Sequence, residues 1–258
     1  MAGFRPRFFI DDPTSHRLAA FGPEGGDPAV VPDLVVAPDL TGTLFSLSPE
    51  DSHHALRVLR LGPGDECEVV VAGAVYGATV VSATMPVATR LDSRLEGPEA
   101  GAAYRTAVGL VQSVERLALV DDIVQKGTEV GASFFLLLPR ADREIWRRWE
   151  GKQTRWQRIA REAAKQSKQV LVPPVTLCPS VEAAFARLEA EGAHSLLLDP
   201  HASRMIADAM ETWPPRSGSG LWSGVVALWV GPEGGWSQQE RHRFVERGVD
   251  SARLGRSV

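Results

Sequence analysis

VVALWVGPEGGWSQQE, Val225 to Glu240, opens with six apolar residues in a row and closes on a helix start. A short apolar run without polar alternation fits a strand buried on both faces, as in a parallel sheet covered by helices. Ser237 and Glu240 have the S-x-x-E spacing of a capping box, so a helix is expected to begin at Ser237. Strand, glycine-rich turn and helix therefore follow one another directly. In an open parallel sheet, ligands bind at the loops just past the strand C-termini. Glycines there let a ligand lie against bare backbone. The same pentapeptide, GPEGG, also occupies Gly22 to Gly26, but no strand precedes it and Pro28 and Pro32 follow. That copy reads as a solvated loop.

Working upstream, the same alternation recurs. YRTAVGLVQS, from Tyr104, reads as a strand, and Glu115 to Val130 as a helix closed by Gly131. SFFLLLP is a buried strand. Thr154 to Gln169 is a second helix, with Trp156, Ile159, Ala160, Ala163 and Ala164 on its apolar side. VLVPPVTL is extended, Ser180 caps a third helix that ends at Gly192, and the strand SLLLDP runs into Asp199-Pro200-His201. Such alternation predicts an α/β fold built on a mostly parallel sheet. The first 95 residues differ: RFFI from Arg7, then ECEVVVAG and AVYGATVVSAT joined at Gly73, suggest a small β-barrel. His53 to Arg60 leads into an expected turn at Leu61 to Asp65, and His53 and His54 are expected in a barrel turn. The expected domains are 1–95 and 104–258, with a linker at 96–103.

The chain has 258 residues, 44% hydrophobic and 23% charged, enough for one or two domains. Cys67 and Cys178 match no metal-ligand spacing, so neither a disulfide framework nor a metal site is expected. No run of 18 apolar residues occurs, and a soluble, cytoplasmic protein without a membrane partner is the expectation.

Net charge is −4, yet Arg140 to Gln169 holds ten basic residues against four acidic ones, +6, leaving −10 for the rest. A basic segment on an acidic body suits a polyanion held at one place. Arg158, Arg161, Lys165 and Lys168 fall at helical spacing along one face, and RNA phosphates are their expected counter-charge. The ligand of the second GPEGG is expected to be different. The Lys-Ser/Thr of a phosphate-binding loop is missing, G-x-G-x-x-G is not matched, and Glu233 would repel a phosphate. A neutral or cationic ligand with an adenine to bury fits better.

LVQSVERLALVDDIVQKGTEVGA, RWQRIAREAAKQSKQVLVP, LLLDPHA and VGPEGGWSQQE, in this order, resemble the RsmE family, and HHALRVLRLGPGDE is similar to its N-terminal segment. The family methylates N3 of a uridine in 16S ribosomal RNA with S-adenosylmethionine. The resemblance implies an N-terminal PUA-like β-barrel that helps grip RNA and a SPOUT-type parallel sheet whose last segment ties a trefoil knot. It implies a homodimer acting on 16S rRNA of the small ribosomal subunit. It implies cofactor contacts at Leu198, Asp199 and Pro200, at Gly231, Pro232, Glu233, Gly234 and Gly235, and at Leu254 and Gly255.

RNA contacts are expected at Arg7, Arg57, Arg60, Arg158, Arg161, Lys165 and Lys168. Lys126, Arg140 and Arg143 are candidates for stabilising an anionic uracil, and Glu129 for proton removal. Gln169 stands where the family usually has an arginine. The sequence ends at Val258, before a segment similar to L-R-T-E-T-A, so an incomplete knot, a missing pocket wall and weak activity are expected. Two rival readings remain: a non-catalytic RNA-binding protein, and a SPOUT methyltransferase acting on transfer RNA.

Overall fold

The computed structural model describes residues 5–10, 39–96, 107–140, 149–211 and 224–255. The chain divides into two compact units, Met1–Ala103 and Tyr104–Val258. The first GPEGG and positions 97–103 of the expected linker lie outside the described residues, while Glu96 ends a strand.

In the first unit, β1 (Arg7–Ile10), β2 (Leu44–Ser46), β3 (Glu66–Val71), β4 (Ala74–Ser82) and β5 (Ala88–Glu96) form one sheet in the order β1-β3-β4-β5-β2. All its pairings are antiparallel except β1 with β3. Phe8, Phe45, Val69, Tyr76 and Leu91, from all five strands, share one buried cluster, so the sheet curls around its own core. Ala72 and Gly73 both have positive φ and close the β3–β4 hairpin, a conformation that suits the twist of the flanking strands. His53 and His54 do not lie in a barrel turn: His53 ends a helix, α1 (Pro49–His53), capped by the Ser48 hydroxyl, and His54 opens a π-helical turn, His54–Val58. Serine at the cap and proline at the first helical position are helix-start signals; their place before the histidine pair makes the segment helical.

In the second unit, β6 (Ala107–Val114), β7 (Phe135–Pro139), β8 (Val175–Leu177), β9 (His194–Leu198), β10 (Val225–Val230) and β11 (Asp250–Ala252) form a wholly parallel sheet. Its order is β11-β9-β10-β6-β7-β8. The helices are α2 (Ala118–Glu129), α3 (Gln153–Gln166), α4 (Val181–Ala190), α5 (Ile206–Glu211) and α6 (Gln238–Glu246). Neighbouring side chains on each strand go to opposite faces. Val111, Leu136, Leu197 and Trp229 pack with Phe185, Leu188 and Phe244 of α4 and α6. Leu110, Phe135, Leu137 and Val175 pack with Val120, Val124, Trp156 and Ala160 of α2 and α3. Burial on both faces is why these strands lack polar alternation.

The chain steps outward from β6 through β7 to β8, then restarts at β9 on the other side. β10 inserts between β9 and β6, and β11 closes the edge. All C-terminal strand ends therefore point the same way, and those of β11, β9 and β10 are neighbours.

Candidate functional site

The loops after β9, β10 and β11 enclose a cavity of about 430 Å³. From the first come Leu198, Asp199, Pro200 and His201; from the second, Val230 and Gly231 to Trp236; from the third, Arg253 and Leu254, with Arg241 of α6 completing the wall. The structure thus brings together every sequence-predicted cofactor residue except Gly255, which does not line the cavity. Arg253 and Leu254 supply a third side of the cavity, because β11 pairs with β9 and carries them there. Val230, His201, Trp236, Arg241 and Arg253 were missed; Val230 and Trp236 adjoin the pentapeptide and His201 ends the Asp199-Pro200-His201 turn, whereas Arg241 and Arg253 carried no local signal.

The β10–α6 turn is held from several directions. Gly235 N–H donates to Pro232 O at 2.8 Å. Ser237 and Glu240 form the predicted capping box: the Ser237 hydroxyl accepts from Glu240 N–H at 3.3 Å and Ser237 N–H donates to Glu240 Oε2 at 2.8 Å. Burial pushes the Glu240 carboxyl up, but the Ser237 hydroxyl and N–H and the Arg140 guanidinium outweigh it and leave it below its ordinary range. The indole of Trp236 lies directly against Gly231, where an added Cβ would come within 3.0 Å of Nε1. At Gly234 and Gly235 an added Cβ would meet no protein atom within 4 Å, so bare backbone faces open space there.

The charged groups of the lining are balanced. Asp199 lies 3.5 Å from Arg241, whose Nε also donates to Trp236 O at 3.1 Å. Arg253 donates to Ala202 O at 2.9 Å. Glu233, which also lines the cavity, pairs with Arg116 at 2.5 Å. Apolar groups (Leu198, Pro200, Val230, Pro232, Trp236, Leu254) form the rest. Such a lining suits a flat, uncharged ring joined to a zwitterionic portion, not a polyphosphate.

The catalytic candidates fare differently. Arg140 does not line the cavity. It donates to Ser113 Oγ at 3.1 Å, pairs with Glu240 and lies 5.7 Å from the Trp236 ring centroid, and so braces the wall. Lys126 and Glu129 are exposed on the outer face of α2, Glu129 accepting from Gln125 at 3.0 Å, and neither reaches the cavity. Helical rise sets them roughly 10 Å or more beyond the first turn of α2. Arg143 lies outside the described residues.

The proposed RNA contacts also divide. The Arg7 side chain is 4% exposed and its Nε donates to Glu68 at 2.8 Å, because the parallel β1–β3 register sets the two side by side. Arg7 is therefore a buried structural ion pair. Lys165 is likewise withdrawn, its side chain 10% exposed and paired with Glu162 at 2.8 Å. Lys168 is not on the helical stripe: α3 ends at Gln166, and Lys168 has left-handed backbone with φ +58°. Gln169 donates to Glu129 O at 3.4 Å, tying the ends of α3 and α2 together. Arg57, Arg60 and Arg158 are exposed and Arg161 is half-buried. Among the described residues no cluster of His, Cys, Asp and Glu could hold a metal, and no helix is long and apolar enough to cross a membrane.

A parallel sheet with helices on both faces and a glycine-lined cavity at the strand ends defines an α/β domain of the kind found in solved RNA methyltransferases. A ribosomal RNA small subunit methyltransferase E from Neisseria gonorrhoeae, solved with S-adenosyl methionine, superposes with a TM-score of 0.68 at 22% identity, over 99% of this chain and 91% of that one. A Legionella pneumophila protein, also solved with that cofactor, gives 0.67 at 21%, over 99% and 91%. The model of the RNA methyltransferase domain matches residues 103–258, and that of the RNA methyltransferase PUA domain matches residues 47–84; the chain belongs to this RNA methyltransferase family. Among its relatives are the ribosomal RNA small subunit methyltransferases E of Synechocystis sp. (29% identical, 87% of this chain and 71% of that protein) and Mycobacterium bovis (28%, 84% and 81%). The Bacillus subtilis protein of the same name is 27% identical over 82% of each.

Proposed function

We propose that this chain transfers a methyl group from S-adenosylmethionine to N3 of a uridine in 16S ribosomal RNA. The observation that carries the reading is the convergence of the β9, β10 and β11 loops on one glycine-lined, charge-balanced cavity. Its residues fit the cofactor. The backbone of Gly231 to Gly235 and the apolar groups beside it would hold the adenine, since glycines let a ring lie on the main chain. Asp199, Arg241 and Arg253 offer both signs of charge to an amino-acid portion. When bound, the cofactor supplies an electrophilic methyl group on a sulfonium.

The protein's own work is positioning and electrostatics. Trp236 and the Arg140–Glu240 pair keep the β10–α6 turn in one geometry. N3 lies on the Watson–Crick edge of uracil, so the base must be unpaired or turned out of its stack to react. The PUA-like unit, with Arg57 and Arg60 exposed on and after its π-helical turn, and Arg158 and Arg161 on α3, provide cations for RNA phosphates. A cytoplasmic homodimer is part of the same reading, tested by light scattering of the purified chain.

Calorimetry with S-adenosylmethionine, followed by mapping of N3-methyluridine in 16S RNA from unmodified small subunits, tests the proposal. Saturable binding and one new N3-methyluridine are expected. Cofactor binding without any RNA methylation, or a methyl group found only in transfer RNA, would sink it.

A further inference from the structure

A second cavity, of about 200 Å³, borders the same Gly231–Pro232–Glu233 backbone on its β6 flank. The first cavity runs from β10 towards β9 and β11; this one lies between the end of β10 and the end of β6. Its apolar lining includes Leu119 and Ile123 of α2 and Pro232 of the turn. Its polar lining is Gln112, Ser113, Glu115, Arg116 and Glu233. The Gln112 amide donates to Ser113 O at 2.8 Å and to Gly231 O at 3.2 Å, which fixes the backbone shared by the two cavities. Arg116 uses one N–H on Glu233 and is 65% exposed, so most of its five donors remain for another acceptor.

Resting on the methyl-transfer reading above, we propose that this second cavity receives the acceptor nucleobase and that Arg116 meets the charge on its ring. A pyrimidine is flat and apolar on its faces, which suits Leu119, Ile123 and Pro232. Its edge carries carbonyl oxygens, which suit a guanidinium. Loss of the N3 proton to solvent water spreads negative charge onto those oxygens, and a cation fixed beside them stabilises that form more than the neutral base. Glu233 holds Arg116 in place and, as part of the wall common to both cavities, links the two binding events. Sites for donor and acceptor then adjoin across three residues of backbone.

The test uses the full chain with S-adenosylhomocysteine bound and a 16S RNA fragment carrying 4-thiouridine at the modified position. Photo-crosslinking is expected to attach the RNA to the Arg116–Ile123 segment; attachment confined to other segments overturns the proposal. Leu119→Trp, at a partly exposed helix position, fills the cavity without touching the first one. It should abolish the crosslink and lower kcat/KM for RNA at least tenfold, with S-adenosylhomocysteine affinity within twofold of wild type.

Arg116→Gln should lower kcat on the order of a hundredfold with KM little changed, the size expected for one lost charge-stabilising donor. Arg116→Lys should recover part of it. Wild-type rates in Leu119→Trp and Arg116→Gln, with cofactor binding intact, would overturn the proposal and leave the methyl-transfer reading standing. Absence of S-adenosylhomocysteine binding by the wild-type chain would overturn both.

Discussion

Replacing Gly235 by alanine separates what the β10–α6 turn needs for folding from what it needs for its ligand. Gly235 has φ +73°, in the left-handed region, and an added Cβ meets no atom within 4 Å. The cost is therefore backbone strain alone, about 1–2 kcal/mol for an L-residue in that conformation. Alanine also restricts the unfolded chain, which offsets about 0.4–1 kcal/mol. The net loss is about 1 kcal/mol, or a fall of about 2–4 °C in Tm for a unit of this size. Gly234 is the matched control. Its φ is not positive and its Cβ would also meet open space, so Gly234→Ala should change stability by less than about 0.5 kcal/mol.

All seven tryptophans lie beyond residue 104, so intrinsic fluorescence during urea unfolding reports the second unit alone. Calorimetry on the same two proteins then reads the cavity. Both variants should bind S-adenosylmethionine at least fivefold more weakly, Gly234→Ala without any loss of stability. Equal urea midpoints for the two variants would refute the strain argument; unchanged affinity in Gly234→Ala would refute contact between ligand and that backbone.

Three further outcomes follow from charge and burial. The folded Glu240 carboxyl is held below its ordinary value of 4.5, so the stability it adds is present at neutral pH and lost as pH falls through its folded value. The difference in urea midpoint between wild type and Glu240→Ala should thus be full at pH 7 and shrink in acid; a constant difference from pH 7 to pH 3 would contradict the linkage. Burial pushes the Cys67 thiol up to about 12 and raises that of Cys178, so neither should react with a thiolate-directed reagent at pH 8 until denaturant is added, as absorbance of the released chromophore would show. Arg158→Glu should weaken RNA binding and lower the slope of log affinity against log salt by about one or more, with no change in the urea midpoint; an unchanged slope would make Arg158 an ordinary solvated charge.

Much of the second unit was legible because its signals are local. Val225–Val230 is continuous and apolar since both its faces are covered, and Ser237 with Glu240 builds its cap from residues three apart. Ser180 likewise caps α4, its hydroxyl accepting from Ala183 N–H at 3.1 Å. Charged positions were less legible, because helical spacing says which side chains align and not which are already paired. Lys165 was spent on Glu162, three residues earlier, and Arg7 on Glu68, 61 residues later, through a strand register that no local pattern specifies. The pocket residues divide in the same way: the pentapeptide announced itself, but Arg241 and Arg253 reach the cavity only through the packing of α6 and the β11–β9 pairing.

The second cavity belongs wholly to this long-range class. Gln112 and Gly231 are 119 residues apart, and Arg116 and Glu233 are 117 apart. They meet because β10 inserts beside β6 in matched register, Val230 opposite Gln112. That register also explains why one glycine-rich turn can serve two cavities: β10 is an interior strand, with β9 on one flank and β6 on the other, so its loop borders both. A turn on an edge strand could wall only one. Shifting β10 by one residue would send Trp229 to the opposite face of the sheet and part Gln112 from Gly231 together. The core packing that fixes the strand therefore fixes the spacing of the two cavities as well.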